Sequence, residues 1–255
     1  MTIANSSMTS TVEPIHIDHD GTTLCGVIAL PAQDRPAPGV LVFPTAFGLG
    51  EQMQVVAGRL ADQGFTAIAV DMFGGGTYTE NQKELEAIIP ALWGTELARA
   101  RSAAWLGALK ARPEVDASRT AAIGYCFGGQ CVLELARSGA DLIAVASFHG
   151  ILSTSWPARS GELKAHVAVY TGAKDPHAPA ADVAQLRDEL TAAGASWQIT
   201  EFGQAYHAFT DPEAQSPDQG RAYDPLADRV SWASMSELLG TTLAQPLSPS
   251  AGSKT

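Results

Sequence analysis

Three residues of the 255-residue chain could together run acyl-transfer chemistry: Cys126, Asp175 and His207. Cys126 lies in "IGYCFGGQCV", Ile123 to Val132, inside the pattern Gly124-Tyr125-Cys126-Phe127-Gly128-Gly129. That is a nucleophile elbow, G-x-nucleophile-x-G, with a thiol in place of serine. Glycine flanks suit it because the strained backbone at the nucleophile crowds neighbouring elements. A helix starting just beyond would aim its unpaired N–H groups and positive end at the sulfur, favouring thiolate. The same stretch also reads as a tight turn around a buried structural cysteine, so the pattern gains force only from partners. Asp175 in "TGAKDPHAP" and His207 in "GQAYHAFTD" supply an acid and a base, each just after an apolar run. His207 would hold the thiolate as an ion pair and later activate water, while Asp175 would orient the ring and stabilise its charged form.

Those partners need elements that deliver them to one place. "PIHIDHDG" and "LCGVIALP" read as two strands joined by a His-Asp-Gly turn. "GVLVFP" is a buried strand, followed by a helix through "EQMQVVAGRLADQG" that Gly64 stops. "FTAIAVDMF" is the next strand; "GGGTY" leads to a helix from about Gln82 that Pro90 interrupts. Thr95 and Glu96 open a longer helix with Leu97, Ala98, Ala104, Trp105, Ala108 and Leu109 on one stripe, ended by Pro113. "RTAAIGY" is a short strand before the helix "GGQCVLELARSG", and "LIAVASF", "HVAVY" and "WQITEF" are further strands. Val183, Leu186 and Leu190 mark a helix that Gly194 ends; Trp232, Met235 and Leu239 mark the last one.

Strands alternating with helices of ten or more residues predict an α/β fold, with a mostly parallel central sheet and helices on both faces. The opening hairpin makes an antiparallel N-terminal edge. Functional groups in such sheets gather at the carboxyl ends of the strands, where all three residues fall. The order nucleophile, acid, histidine is that of α/β-hydrolase folds. Residues 1–10 are expected to be disordered or vector-derived, with a second methionine at Met8; 11–245 form a single domain and 246–255 a disordered tail.

A net charge of −11, with sixteen scattered Lys and Arg, argues against nucleic acid and anionic membrane as partners. No apolar run approaches the roughly 20 residues of a membrane span, and "MTIANSSMTS" lacks the features of a secretory leader. A cytoplasmic location is expected. The three cysteines, Cys25, Cys126 and Cys131, lack metal-ligand spacing. Cys126 and Cys131, entering one helix, would stand roughly 8–9 Å apart, beyond disulfide reach. No cofactor or metal is called for: His16, Asp18, His19 and Asp20 read as a solvated turn, and "GLGEQM" and "GGGTY" lack the lysine and spacing of a phosphate loop.

The stretches "GYCFGGQ", "TGAKDPHAP" and "AYHAFTD", with "VFPTAFGL" and "VDMFGG", resemble the dienelactone hydrolase family from about Ile15 to Leu243. The resemblance implies a Cys126–His207–Asp175 triad. It also implies an oxyanion hole from the backbone N–H groups of Phe127 and Ala46. Two departures narrow the substrate. Thr45 stands where the family carries a glutamate that takes the thiol proton when substrate arrives, so Cys126 is expected to be paired with His207 at rest. The family also clamps a substrate carboxylate with two arginines. This chain has none between Leu60 and Ala98, and Asp211 follows the histidine, so an anion would meet Asp211 without a counter-charge.

Neutral substrates therefore fit better. A thiol with a pKa near 8.5 leaves more readily than an alkoxide but competes evenly with a phenolate of about 10. Aryl esters, enol lactones and, secondarily, aryl phosphotriesters are the expected small-molecule partners. The alternatives are carboxymethylenebutenolidase activity proper and a hydrolase fold kept as a binding module. Thr45, Phe47, Phe73, Trp93, His149 and Phe209 are the candidate pocket walls, and His177 reads as a loop residue. The chain is expected to be a monomer or homodimer.

Overall fold

A computed structural model describes residues 11–33 and 35–244. The terminal segments 1–10 and 246–255, expected to be disordered, lie outside the described residues. The chain opens with β1 (Thr11–His19) and β2 (Thr22–Leu30), antiparallel and joined through Asp20 and Gly21 at φ 51° and 74°. Two consecutive left-handed residues give the turn whose twist matches a hairpin. There follow β3 (Ala37–Phe43), α1 (Glu51–Ala61), β4 (Thr66–Ala69) and α2 (Gln82–Ile88). A 3-10 turn over Ile89–Ala91 carries Pro90, as expected of a proline that cannot continue the helix. Then come α3 (Glu96–Lys110), β5 (Val115–Tyr125), α4 (Phe127–Arg137), β6 (Ala144–Phe148), β7 (His166–Gly172), α5 (Ala180–Ala192) and β8 (Trp197–Phe202). The short strands β9 (Gln215–Ser216) and β10 (Arg221–Ala222) pair with each other before α6 (Pro225–Thr242).

The main sheet runs β1-β2-β4-β3-β5-β6-β7-β8. Strands β3 to β8 are parallel, and β2 joins β4 antiparallel, which makes the hairpin the mixed edge of an α/β-hydrolase sheet. Along β3, Leu41 and Phe43 enter the core beneath α3 and α4, with Trp105, Phe127 and Leu135. Val40 and Val42 enter the opposite core, with Met53 and Leu60 of α1 and Met235 and Leu239 of α6. That alternation is the period of two on a sheet covered on both faces.

Three expectations need correction. Strand β4 stops at Ala69, and Val70–Phe73 of the expected strand "FTAIAVDMF" belong to the loop that the Asp71 carboxylate holds. Strand β5 begins at Val115, well before "RTAAIGY", because its first residues pair with Ala37 and Pro38 across an irregularity before Gly39. The buried stripe of α3 is Ala98, Arg101, Ser102, Trp105, Leu106 and Leu109, while Leu97, Ala104 and Ala108 are only half-buried. Polar contacts turn the helix. Arg101 donates to the carbonyls of Met72 and Phe73 at 2.6 and 3.2 Å, and Trp105 Nε1 donates to Asp71 O at 2.8 Å. Asp71 itself is fully buried, and its carboxylate accepts from the N–H groups of Phe73, Gly74, Gly76 and Cys25. Four charge-assisted bonds thus fix the loop after β4.

Candidate active site

The turn from β5 into α4 puts Cys126 at φ 54°, ψ −114°, a conformation that costs a non-glycine residue about 1–3 kcal/mol. Its surroundings hold it there. Cys126 N–H donates to Phe148 O at 3.0 Å, and Gly128 N–H to Pro44 O at 2.9 Å. A Cβ on Gly128 would stand 2.4 Å from Phe43 O, so the elbow needs glycine for close approach. Cys126 is half-buried, and the groups that act on its thiol are the backbone N–H groups of Ala46 and Phe127 and the His207 imidazole.

His207 follows β8 and is pinned by the strap at β10: its N–H donates to Gly220 O at 2.9 Å, and Ala222 N–H donates to its carbonyl at 3.1 Å. His207 Nδ1 lies 2.8 Å from Asp175 Oδ2, and the other carboxylate oxygen accepts the His177 N–H at 2.8 Å. Asp175 is buried. This chain of bonds sets the charges. Burial pushes the Cys126 thiol up, but the His207 charge, its hydrogen bond and the two backbone N–H groups outweigh it, and the thiol is held below its ordinary pKa. Burial disfavours the His207 cation; the Cys126 thiolate and Asp175 more than offset it and raise His207 to about 10. Both shifts run toward a thiolate paired with an imidazolium.

Two further imidazoles flank His207. The His177 ring sits edge-on with centroids 4.7 Å apart, and the His149 ring likewise at 5.1 Å. Burial first, then the His207 charge, lowers both, so each stays neutral beside the cation.

The sulfur opens into a cavity of ≈ 640 Å³. Among the expected wall residues, Thr45, Phe47, Trp93 and His149 line it, with Ala46, Cys126 and His207. Two do not. Phe73 turns onto Phe127 at 6.3 Å, and Phe209 is fully buried between His149 and Phe202 at 5.2 and 5.5 Å. Phe127 contributes its N–H while its side chain packs in the core. Thr45 is occupied: its Oγ1 accepts the Phe47 N–H at 3.3 Å.

The sequence reading missed several lining residues, above all Arg221. The expectation that an anion would meet Asp211 with no counter-charge is corrected. Arg221 Nη2 lies 3.7 Å from Asp211 Oδ2, and its guanidinium lies 5.4 Å over the Phe47 ring. Tyr78, hydrogen-bonded to Glu80, also faces the cavity, as does His177, which the sequence suggested was a plain loop residue. Among the described residues, no group of three or more His, Cys, Asp or Glu side chains could hold a metal ion, and no helix is long and apolar enough to cross a membrane. All three cysteines are free.

Residues 24–243 match the model of the dienelactone hydrolase family. A dienelactone hydrolase-like promiscuous phosphotriesterase from metagenomic libraries is 38% identical, with a TM-score of 0.85 over 92% of this chain and 99% of that one. A Salmonella typhimurium protein provisionally named a carboxymethylenebutenolidase is 27% identical over 84% of this chain and 88% of its own. Acylaminoacyl peptidase of Pyrococcus horikoshii superposes with a TM-score of 0.69 at 14% identity, covering 93% of this chain and 43% of that one, a likeness of fold alone.

Proposed function

The chain belongs to the dienelactone hydrolase family and is an ester-bond hydrolase, and from that premise we propose that Cys126 is its nucleophile, in a triad with His207 and Asp175. The observation that carries the proposal is the 2.8 Å contact of His207 Nδ1 with Asp175 Oδ2, on an imidazole that lines the same cavity as Cys126 and whose charge lowers the Cys126 thiol.

The reaction runs in two halves. Cys126 thiolate attacks the ester carbonyl, and the N–H groups of Ala46 and Phe127 pass from sulfur to the developing oxyanion. His207 imidazolium gives its proton to the departing oxygen, leaving a thioester on Cys126 and a neutral ring. That ring takes a proton from water as the water attacks the thioester. Cys126 leaves as thiolate, and the imidazolium is restored. Asp175 keeps Nδ1 protonated throughout, so Nε2 is the atom that exchanges protons.

Charge pairing selects the substrate. A thiolate held below its ordinary pKa is a good leaving group, so even with His207 protonating the ester oxygen the tetrahedral adduct partitions forward best when that oxygen leaves readily. Aryl esters and enol lactones meet that condition better than simple alkyl esters. Arg221, the cation of the wall, is already engaged with Asp211, which favours uncharged substrates. Neutral aryl phosphotriesters fit the same geometry, with the phosphoryl oxygen in the oxyanion hole, as a secondary activity. A second reading rests on Arg221 itself: released from Asp211, it would receive the carboxylate of a dienelactone. A free thiolate nucleophile suits a reducing compartment, which supports a cytoplasmic location.

The test compares p-nitrophenyl butyrate with paraoxon on wild type and Cys126→Ala. Both activities disappear in the variant if Cys126 is the nucleophile. Turnover at the wild-type rate in Cys126→Ala removes the thiol from the mechanism.

A further inference from the structure

We propose that His149 is a positioning residue for His207, bracing it through a hydrogen bond to Thr210 and through direct ring contact so that the imidazole stays aligned on Cys126. The inference rests on the assignment of Cys126 and His207 above.

His149 occupies its place against several local preferences. It follows β6 at φ 39°, a left-handed conformation for a residue with a Cβ. A Cβ on the adjacent Gly150 would stand 2.2 Å from Ser147 Oγ, so the chain there is pressed tightly into the turn. The side chain is 1% exposed, yet among the described residues its Nδ1 has no hydrogen-bond partner. A phenyl ring would fill the same space without burying an unsatisfied nitrogen. Packing alone therefore does not explain an imidazole.

Its side-chain hydrogen bond explains it better. His149 Nε2 lies 2.8 Å from Thr210 Oγ1, and Thr210 is three residues beyond His207, across Ala208 at φ 56°. Gln52 holds the other side of Thr210, donating to its carbonyl at 3.3 Å. The loop that carries His207 is thus tied to β6, the strand whose Phe148 carbonyl accepts the Cys126 N–H. One residue links the base to the backbone of the nucleophile. The rings of His149 and His207 meet at 71°, which limits rotation of His207.

The electrostatics are compatible. His149 is faced by His207 and Arg221 and by the Tyr125 ring at 6.0 Å; His207 is faced by Cys126, Asp175 and His177 besides. Burial and the His207 charge keep His149 neutral, so it supports the imidazolium without repelling it.

The experiment uses His149→Phe, which keeps a ring, and Thr210→Val, which keeps the shape but removes the hydroxyl. The readouts are kcat and KM on p-nitrophenyl butyrate, the pH profile of Cys126 alkylation by iodoacetamide without substrate, and Tm. Each variant should lose about tenfold in kcat with KM nearly unchanged, and its alkylation midpoint should move up toward that of an ordinary thiol. The double variant should be no worse than the poorer single one, and His149→Gln, which can still meet Thr210, should recover part of the loss. If His149→Phe does not fold, Thr210→Val alone carries the test. Wild-type kcat and alkylation profile in folded Thr210→Val would overturn the proposal. An alkylation midpoint in the wild type itself no lower than a free thiol's would instead overturn the triad.

Discussion

Gly124 lies so close to Gly128 that a Cβ on Gly124 would stand 2.1 Å from the Gly128 carbonyl oxygen. The end of β5 and the first turn of α4 touch backbone to backbone, and Cys126 is the residue held out between them. A close approach of this kind sets the sulfur's position more firmly than any side-chain contact could.

Gly124→Ala should therefore damage the elbow. Neither neighbour at the clash is a flexible side chain, so backbone must move, at a cost of about 1–3 kcal/mol or more. Tm should drop by several degrees. The iodoacetamide rate at Cys126 should fall as well, because the sulfur leaves the N–H groups of Ala46 and Phe127. A variant with wild-type Tm and thiol reactivity would contradict the described contact.

Asp175→Asn preserves shape but removes the charge behind His207. An amide at that position also allows the imidazole to settle in the wrong tautomer. We expect kcat to fall by about 10⁴, the effect of the same change in a serine triad, with KM little altered. Steady-state kinetics on p-nitrophenyl butyrate measures both.

The pH response follows from two opposite shifts. His207 is raised to about 10, so its contribution to stability is complete below its ordinary value of about 6.5 and is lost as pH rises through 10. Cys126 is lowered, so its contribution is present above the ordinary thiol value of about 8.5 and is lost as pH falls through its depressed value. The thiolate–imidazolium pair spans the interval between. Alkylation of the resting enzyme, measured without substrate, should accordingly level off at lower pH than for an ordinary thiol; a rate that still climbs through about 8.5 as for a free thiol is the opposite result.

Asp211→Asn should free the Arg221 guanidinium for substrate. The ratio of kcat/KM for a carboxylate-bearing aryl ester to that for its neutral counterpart should rise about fivefold to tenfold, and the gain should shrink with added salt. An unchanged ratio would mean that Arg221 does not face the acyl group.

Cys126, Asp175 and His207 stood out in the sequence because each follows an apolar strand and because the elbow's glycines mark a backbone constraint directly. The succession of the main strands along the chain was legible for the same reason: buried parallel strands read as continuous apolar runs. Arg221 was not, since β9 and β10 are two residues long and carry no periodicity, and pairing with His207 crosses a loop with no apolar pattern. Arg101 and Ser102 were misjudged because hydrophobic period cannot register a polar side chain buried by bonds to carbonyls. Phe73 and Phe209 show a further limit. Nearness to a strand end indicates the right edge of the sheet, but the turn's backbone decides whether a ring faces the cavity or the core.

The most direct measurement is the mass of the enzyme quenched in acid during turnover of p-nitrophenyl butyrate, followed by peptide mapping. A butyryl group on the peptide that contains Cys126, absent from Cys126→Ala, is the predicted result. Full turnover with no acyl adduct on that peptide, together with wild-type activity in Cys126→Ala, would contradict a cysteine nucleophile.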